Sequence, residues 1–370
     1  MTRLFALLAA LVLVQAQQPT FKSGVDLVAV DVHVVDRQGR PVVDLKPQDF
    51  EVQIAGDRRK VASAELISYD TTPAGPAATS DPAAPAAADA PRPRRMFILA
   101  VDEHSLHISN AMAAVNAAEK FIDKLQPDDL VGLYAYPTGV ATHDLTNDHA
   151  SVRREVRKIT GLYSEPMGQF NLSPSEAIDI ASGDRDALMA VLRRACAAGR
   201  CTQNEILNEA ISFATTIEMR ISQSLGGLRG LVRGLEDVPG RKTLVMVSGG
   251  LIMTDRGMGR ANAHAEIASL AREVARSNIS VFALHLDWSF LESLSSRSGL
   301  RLSYFRDSNM AATGLEMIAG SAGGAVFRVQ GTSPDVAFDR VLRETSEHYL
   351  LGVEIASADR RRAGCNDIFV

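Results

Sequence analysis

Apolar and polar positions change their rhythm twice along this chain. In residues 24–35, GVDLVAVDVHVV, Val28, Val30, Val32 and Val34 fall to one side, and Val25, Leu27, Ala29 and Asp31 to the other. A two-residue period predicts a strand. Shorter β segments are expected around residues 50–54 and 60–68, punctuated by Pro47, Gly56 and Asp57. The result is a small all-β module over residues 17–70. Residues 71–93, TTPAGPAATSDPAAPAAADAPRP, have little to bury, and their prolines forbid a continuous helix, so they read as a linker.

From residue 94 strand and helix periods alternate. The apolar run at 96–101 predicts a strand, and the next segment carries Met112, Val115, Ala118, Phe121, Ile122 and Leu125 at helical spacing. There follow the strand DLVGLYAYP, a short extended piece GVATHDLT, and the helix DHASVRREVRKI opened by Asp148 as its cap. Residues 161–202 yield only one short helical run, near 184–197. A long helix then carries Ile206, Ala210, Phe213, Ile217, Ile221 and Leu225 and stops at Pro239-Gly240. RKTLVMVSGG is the most strand-like run. The helix ANAHAEIASLAREVARSN, the strand ISVFALHLD, an insertion to about 309, a helix to Ser321, the strand GAVFRV and a last helix SPDVAFDRVLRETSEHY complete the order.

Strands followed by helices favour right-handed crossovers. The expected class is therefore α/β, a doubly wound, mostly parallel six-stranded sheet of six β-α repeats with helices on both faces. In such sheets a ligand crevice opens beyond the carboxyl ends of the strands, where strand order reverses. Asp102, Glu103, His104 and Ser105 follow the first strand, Ser248 ends the fourth, and His285 and Asp287 end the fifth. These groups form the candidate partner-binding edge.

Composition narrows the partners. At 370 residues and 46% hydrophobic the chain can bury a sizeable core. A net charge of -5 gives no general attraction to nucleic acid or anionic lipid. The start, Arg3, an apolar run at 4–14 and then Val14-Gln15-Ala16, reads as an export signal over residues 1–16 cleaved after Ala16. That run is too short to cross a hydrocarbon core, which needs roughly 20 residues. The mature protein is thus expected to be periplasmic or extracellular and not membrane-spanning. Cys196 and Cys201 then read either as a small-loop disulfide or as two unpaired thiols, and Cys365 has no evident partner.

The strand ending AVDEHS, the strand ending MVSGG and the closing DVAFDRVLRETSEHYLLGV resemble a von Willebrand factor type A (VWA) domain. With the opening VDLVAVDVHVVDRQGRPVVDLKPQDFEV, the chain up to Ile355 resembles the VWFA-related family of exported, acidobacterial-type proteins. The resemblance assigns residues 94–355 to the VWA-like domain. It implies a divalent cation, Mg²⁺ or Ca²⁺, held by an Asp-x-Ser-x-Ser turn, a Thr from a later loop and an Asp after the fourth strand. Asp102 matches. His104 and Leu106 stand where the serines belong, Ser105 is out of register, Thr202 is the nearest threonine, and Ser248 replaces the second acid. Glu103 adds an oxygen at the wrong spacing. Asp102 and Ser105 are what remains of a ligand set, so a degenerate metal-ion-dependent adhesion site is expected.

The resemblance implies a binding or scaffolding protein that holds another protein or an envelope component. The alternative is a hydrolase at the same edge. GxGxxG, GxxxxGK[ST], HExxH and GxSxG signatures are missing from the sequence, which leaves Ser248, His285 and Asp287 as an imaginable triad. Trp288 and Phe290, with Tyr304 and Phe305, read as a partner surface or as an insertion packed on itself. His348 and Tyr349 read as a helix end packed on the β module, and SVRREVRKI as a solvated face. Residues 356–370, beginning ADRRRAGC, depart from the family pattern and read as a truncated terminus that leaves the β module one strand short, with an open edge.

Overall fold

The computed structural model describes residues 27–69, 94–164, 168–196, 201–257, 259–287, 303–330, 333–355 and 368–370. The expected leader and 71–93 linker, with Trp288, Phe290 and Cys365, lie outside the described residues. The chain forms two compact units, one built from residues up to Val34, Val42–Ile67 and those from His348 on, the other from Val35–Pro41 and Ser68–Glu347.

The first unit opens with β1 (Leu27–Val32), β2 (Val52–Ile54), β3 (Asp57–Arg59) and β4 (Val61–Ser68). The second holds β5 (Met96–Asp102), α1 (Ile108–Asp123), β6 (Leu130–Tyr136), β7 (Thr142–Thr146), α2 (His149–Val156), α3 (Pro174–Ala181), α4 (Arg185–Ala195), α5 (Gln203–Gly234) and β8 (Lys242–Ser248). It continues through α6 (His264–Arg276), β9 (Ile279–Leu286), α7 (Tyr304–Ser321), β10 (Ala325–Val329) and α8 (Asp335–Glu344). The chain then forms β11 (Glu347–Glu354) and β12 (Ile368–Phe369).

The large sheet runs β10-β9-β8-β5-β6-β7. Its pairs are parallel except β6 with β7, which is antiparallel with an irregular register. The doubly wound α/β class therefore holds, but β7 hairpins back on β6, so there are not six β-α repeats. Alternation along the buried strands splits the core in two. Phe97, Leu99, Val101, Val245, Val247, Phe282 and Leu284 join α1, α2 and α8 on one face. Ile98, Ala100, Leu244, Met246, Val281 and Ala283 join α5, α6 and α7 on the other. Phe121 stands edge-on to Phe97, 5.3 Å between centroids, and tilts against Phe338 at 5.1 Å.

Two sequence readings need correction. The last helix does not run through Tyr349: it stops at Glu344, and Glu347–Glu354 is the middle strand of a sheet ordered β1-β11-β4. Tyr349, Leu351 and Val353 are its buried positions, a two-residue period. His348 lies 3.6 Å from Asp31, and the Tyr349 hydroxyl accepts from the Leu45 N–H at 3.0 Å. The end of the chain also contributes, since Ile368–Phe369 pairs antiparallel with β2 in the sheet β12-β2-β3. The basic face of α2 is solvent-exposed, as expected, and carries surface ion pairs. Arg153 and Arg157 pair with Asp123 and Glu119 of α1 at 2.7 and 2.6 Å.

The segment before α5 holds two helices where one was expected. α3 opens with a capping box: the Ser173 hydroxyl accepts from the Glu176 N–H, and Glu176 accepts from the Ser173 N–H. Cys196 and Cys201 are disulfide-bonded, with Cα atoms 5.5 Å apart, between the end of α4 and the start of α5. Closing so small a loop restricts the unfolded chain and stabilises the fold by about 2 kcal/mol. The double variant Cys196→Ser/Cys201→Ser is expected to lose that amount in urea unfolding with an unchanged denaturant slope. An unaltered midpoint would mean the bond constrains nothing.

Candidate functional site

The chain winds outward from β5 to β6 and β7, then jumps back to place β8 on the other side of β5. The crevice expected at such a reversal lies beyond the carboxyl ends of β5 and β8. Asp102 and Ser248 end those strands, and the alternation that sends Ile98, Ala100, Leu244 and Met246 toward α5 sends both side chains the same way.

There they meet. The Ser224 hydroxyl of α5 lies 3.1 and 2.9 Å from the two Asp102 carboxyl oxygens, and the Ser248 hydroxyl 3.4 Å from Oδ2. Ser105 Oγ is 3.0 Å from the Asp102 carbonyl and 3.0 Å from Ser248 Oγ, and it accepts the Gly249 N–H at 2.8 Å. The Gly250 N–H donates to Ser248 Oγ at 3.0 Å. Two glycines are required after β8. A Cβ on Gly249 would sit 2.0 Å from the Ser105 carbonyl oxygen, and Gly250 has φ +129° with Ala311 against it.

The strand ends expected to form a partner-binding edge are not an open contact surface. That expectation needs correction: Asp102, Glu103, Ser248 and Asp287 are all buried, and only His104 and Ser105 are partly accessible. The physical reason is α5, which covers the β5 and β8 ends and turns the polar groups inward. Glu103 acts as a strut. Its carboxylate accepts from the Thr138 hydroxyl and from the Thr160 N–H at 3.4 Å, while its carbonyl accepts the Leu162 N–H at 2.8 Å. Leu106 fills the core on the α1 face. His104 faces outward, with Nδ1 2.9 Å from Gln223 Oε1.

Asp287 belongs to a neighbouring cluster, accepting from Ser308 Oγ at 2.6 Å and Gln330 Nε2 at 3.0 Å. His285 is fully buried, and burial holds its pKa below the usual value, so the ring is neutral. Its Nε2 is 3.1 Å from the Gly249 carbonyl, so that nitrogen carries the proton, and Nδ1 has no hydrogen-bond partner among the described residues. The Ser248 hydroxyl is engaged with Asp102, Ser105 and Gly250, so Ser248, His285 and Asp287 do not form a relay. Tyr304 and Phe305 touch at 4.9 Å between centroids, with Phe305 projecting outward.

The cation implied by the family resemblance does not fit these residues. A dication needs several oxygen ligands and keeps waters. Here one carboxylate stands among hydroxyls, and the adjoining cavity, lined by Asp102, Tyr136, Ser224, Ser248 and apolar side chains, is about 10 Å³, room for roughly one water. No group of three or more His, Cys, Asp or Glu residues suited to a metal occurs among the described residues. Thr202, the threonine considered as a ligand, instead caps α5. It lies 22 positions before Ser224, about 33 Å along the helix. Ser224, unremarked in the sequence, occupies the place beside Asp102.

Burial raises the Asp102 pKa to about 6, with the Ser224 hydroxyl and its neighbours offsetting only part of that. At low pH the carboxyl is protonated whether the chain is folded or not. Between its ordinary 3.8 and about 6 only the unfolded chain ionises it, so folding loses stability as pH rises through that window. The shift amounts to about 3 kcal/mol. Asp102→Asn is therefore expected to flatten the stability profile between pH 4 and 7.5, while the unaltered protein falls by about that much more. Parallel profiles in chemical denaturation would show that the carboxyl does not titrate in this way.

No family model matches the sequence, and neither does any curated protein. Among solved structures, the chain is similar to the pilus adhesin SpaC from Lactobacillus rhamnosus GG in its open conformation, at 8% identity and a TM-score of 0.38. The match covers 68% of this chain but spans only 30% of the adhesin. An NADH-dependent reductase, A1-R', complexed with NAD, matches at 13% identity and a TM-score of 0.18 over 65% of this chain and 97% of its own.

Proposed function

We propose that the protein is an exported binding or scaffolding protein that holds another protein, or an envelope component, at the rim beyond the strand ends. One observation carries this reading. Ile108 and Met112 in the first two turns of α1, Val140 between β6 and β7, Phe305 in the first turn of α7 and Val336 in the first turn of α8 are 63–76% exposed. Each follows the carboxyl end of a strand, so the topology gathers them at one end of the sheet. Large apolar side chains concentrated on one part of a surface mark contact sites, whereas isolated ones are ordinary.

Export is inferred from the signal-like pattern of residues 1–16. No helix among the described residues is long and apolar enough to cross a membrane. The hydrolase alternative draws no support from Ser248 and His285, whose polar atoms are turned to other partners. A photo-reactive amino acid placed at Val140 or Val336 is expected to give discrete adducts with an envelope protein, while one at Asp237, beyond the opposite end of α5, gives none. Equal labelling at both ends would remove the rim from the argument. Ester hydrolysis abolished by Ser248→Ala would replace binding with catalysis.

A further inference from the structure

Three loops meet beside Asp102, and Glu103 ties them together through Thr138, Thr160 and Leu162. On their outer side the Tyr163 ring meets two side chains. His107 approaches with centroids 4.4 Å apart, and the Arg220 guanidinium of α5 lies 4.5 Å from the ring centroid. Arg220 Nη2 also donates to the Ser164 carbonyl at 2.7 Å. Gln223, one turn further along α5, holds His104. His107, Tyr163, Arg220, Gln223 and His104 therefore form a continuous strip, with Ile108, Leu162 and Met219 exposed beside it.

The charges of this strip are one-sided. Among the described residues, the acids at the end of β5, Asp102 and Glu103, are buried and bonded inward. Among the described residues Arg220 meets no carboxylate; its contacts are a ring face and a backbone carbonyl. The Tyr163 ring and the Ser164 carbonyl hold the guanidinium in place, and a planar fork of this kind suits a carboxylate through its other N–H groups. An exposed apolar border next to a pre-oriented cation selects for a ligand carrying both characters.

From this geometry we infer that the strip receives a carboxylate-bearing apolar segment of another protein, its acid set against Arg220 and its aliphatic or aromatic neighbours against Ile108 and Leu162. The inference rests on the rim being the binding surface and adds the chemistry of the partner. It requires no metal.

Selection of a random-peptide phage library on the immobilised full chain tests it. Enriched sequences are expected to place Asp or Glu beside Leu, Ile or Phe. The best of them, made synthetically, should bind about tenfold more weakly to Arg220→Gln. Arg220→Glu should shift the enrichment toward Lys and Arg, and affinity for the unaltered protein should fall with added salt. Thermal melts of each variant establish that it is folded. Peptides without acids, or equal affinity for Arg220→Gln, would overturn the inference. If Ile108→Ser and Val140→Ser abolish binding while Arg220→Gln does not, the rim reading survives and the carboxylate partner falls. If no variant matters, or nothing is enriched, both fall.

Discussion

Removing one carboxyl group from water without a cation beside it is the constraint around which the strand-end site is built. Asp102 ends the central strand at the point where the sheet reverses direction. A buried carboxylate is costly unless it is paired, and here hydroxyl groups surround it, with no lysine or arginine among its described partners. The group therefore holds its proton to higher pH than an exposed acid would. The β5–α1 turn that follows Asp102, the later half of α5 and the end of β8 each bring a serine to this residue.

That requirement explains the local glycines and the course of α5. Ser105 reaches both the Asp102 carbonyl and Ser248 only because the backbone after β8 comes close enough to lend its Gly249 N–H. The 32-residue α5 has a disulfide just ahead of its first turn, and Ser224 lies well past its midpoint. Its early half packs with α3 and α4, while its later half covers Ile98, Ala100 and Met246 of the sheet. A single rigid element thus joins the disulfide-closed segment to the buried acid and, through Arg220 and Gln223, to the outer strip.

The sheet was legible in the sequence because strands buried on both faces read as unbroken apolar runs. MFILAV and TLVMV are of that kind, and their polar terminators marked the strand ends correctly. Where the sequence misled, two signals overlapped. The TSEHYLLGV run continues a helical pattern by one register and a strand by another, and the buried Tyr349, Leu351 and Val353 show which prevailed. The α3 capping box was readable as Ser173-Pro174-x-Glu176 but was lost among flanking glycines and prolines. Ser224 carried no local signal. It stands mid-helix, 122 positions from Asp102, and only the folded chain brings the two together. Thr202, the threonine nearest the ligand place that the resemblance implies, sits at a helix start, where it needs no further explanation than its cap.

Burial of the strand-end acids changes what a partner can touch. In a site built for direct ligation the polar residues would face outward and the apolar ones inward. Here the order is inverted: Asp102, Glu103 and Ser248 are covered, while Ile108, Met112, Val140 and Phe305 project. None of these projecting side chains supports the sheet core, which Phe97, Phe121, Ile122 and Phe338 fill from below. Folding stability alone gives no reason to keep them at the first turns of helices, where a polar residue would serve solubility better. The polar network beneath them fixes the loops that carry them, so under the proposed binding role the strand-end polar groups act as a scaffold and the apolar and cationic groups above them meet the partner.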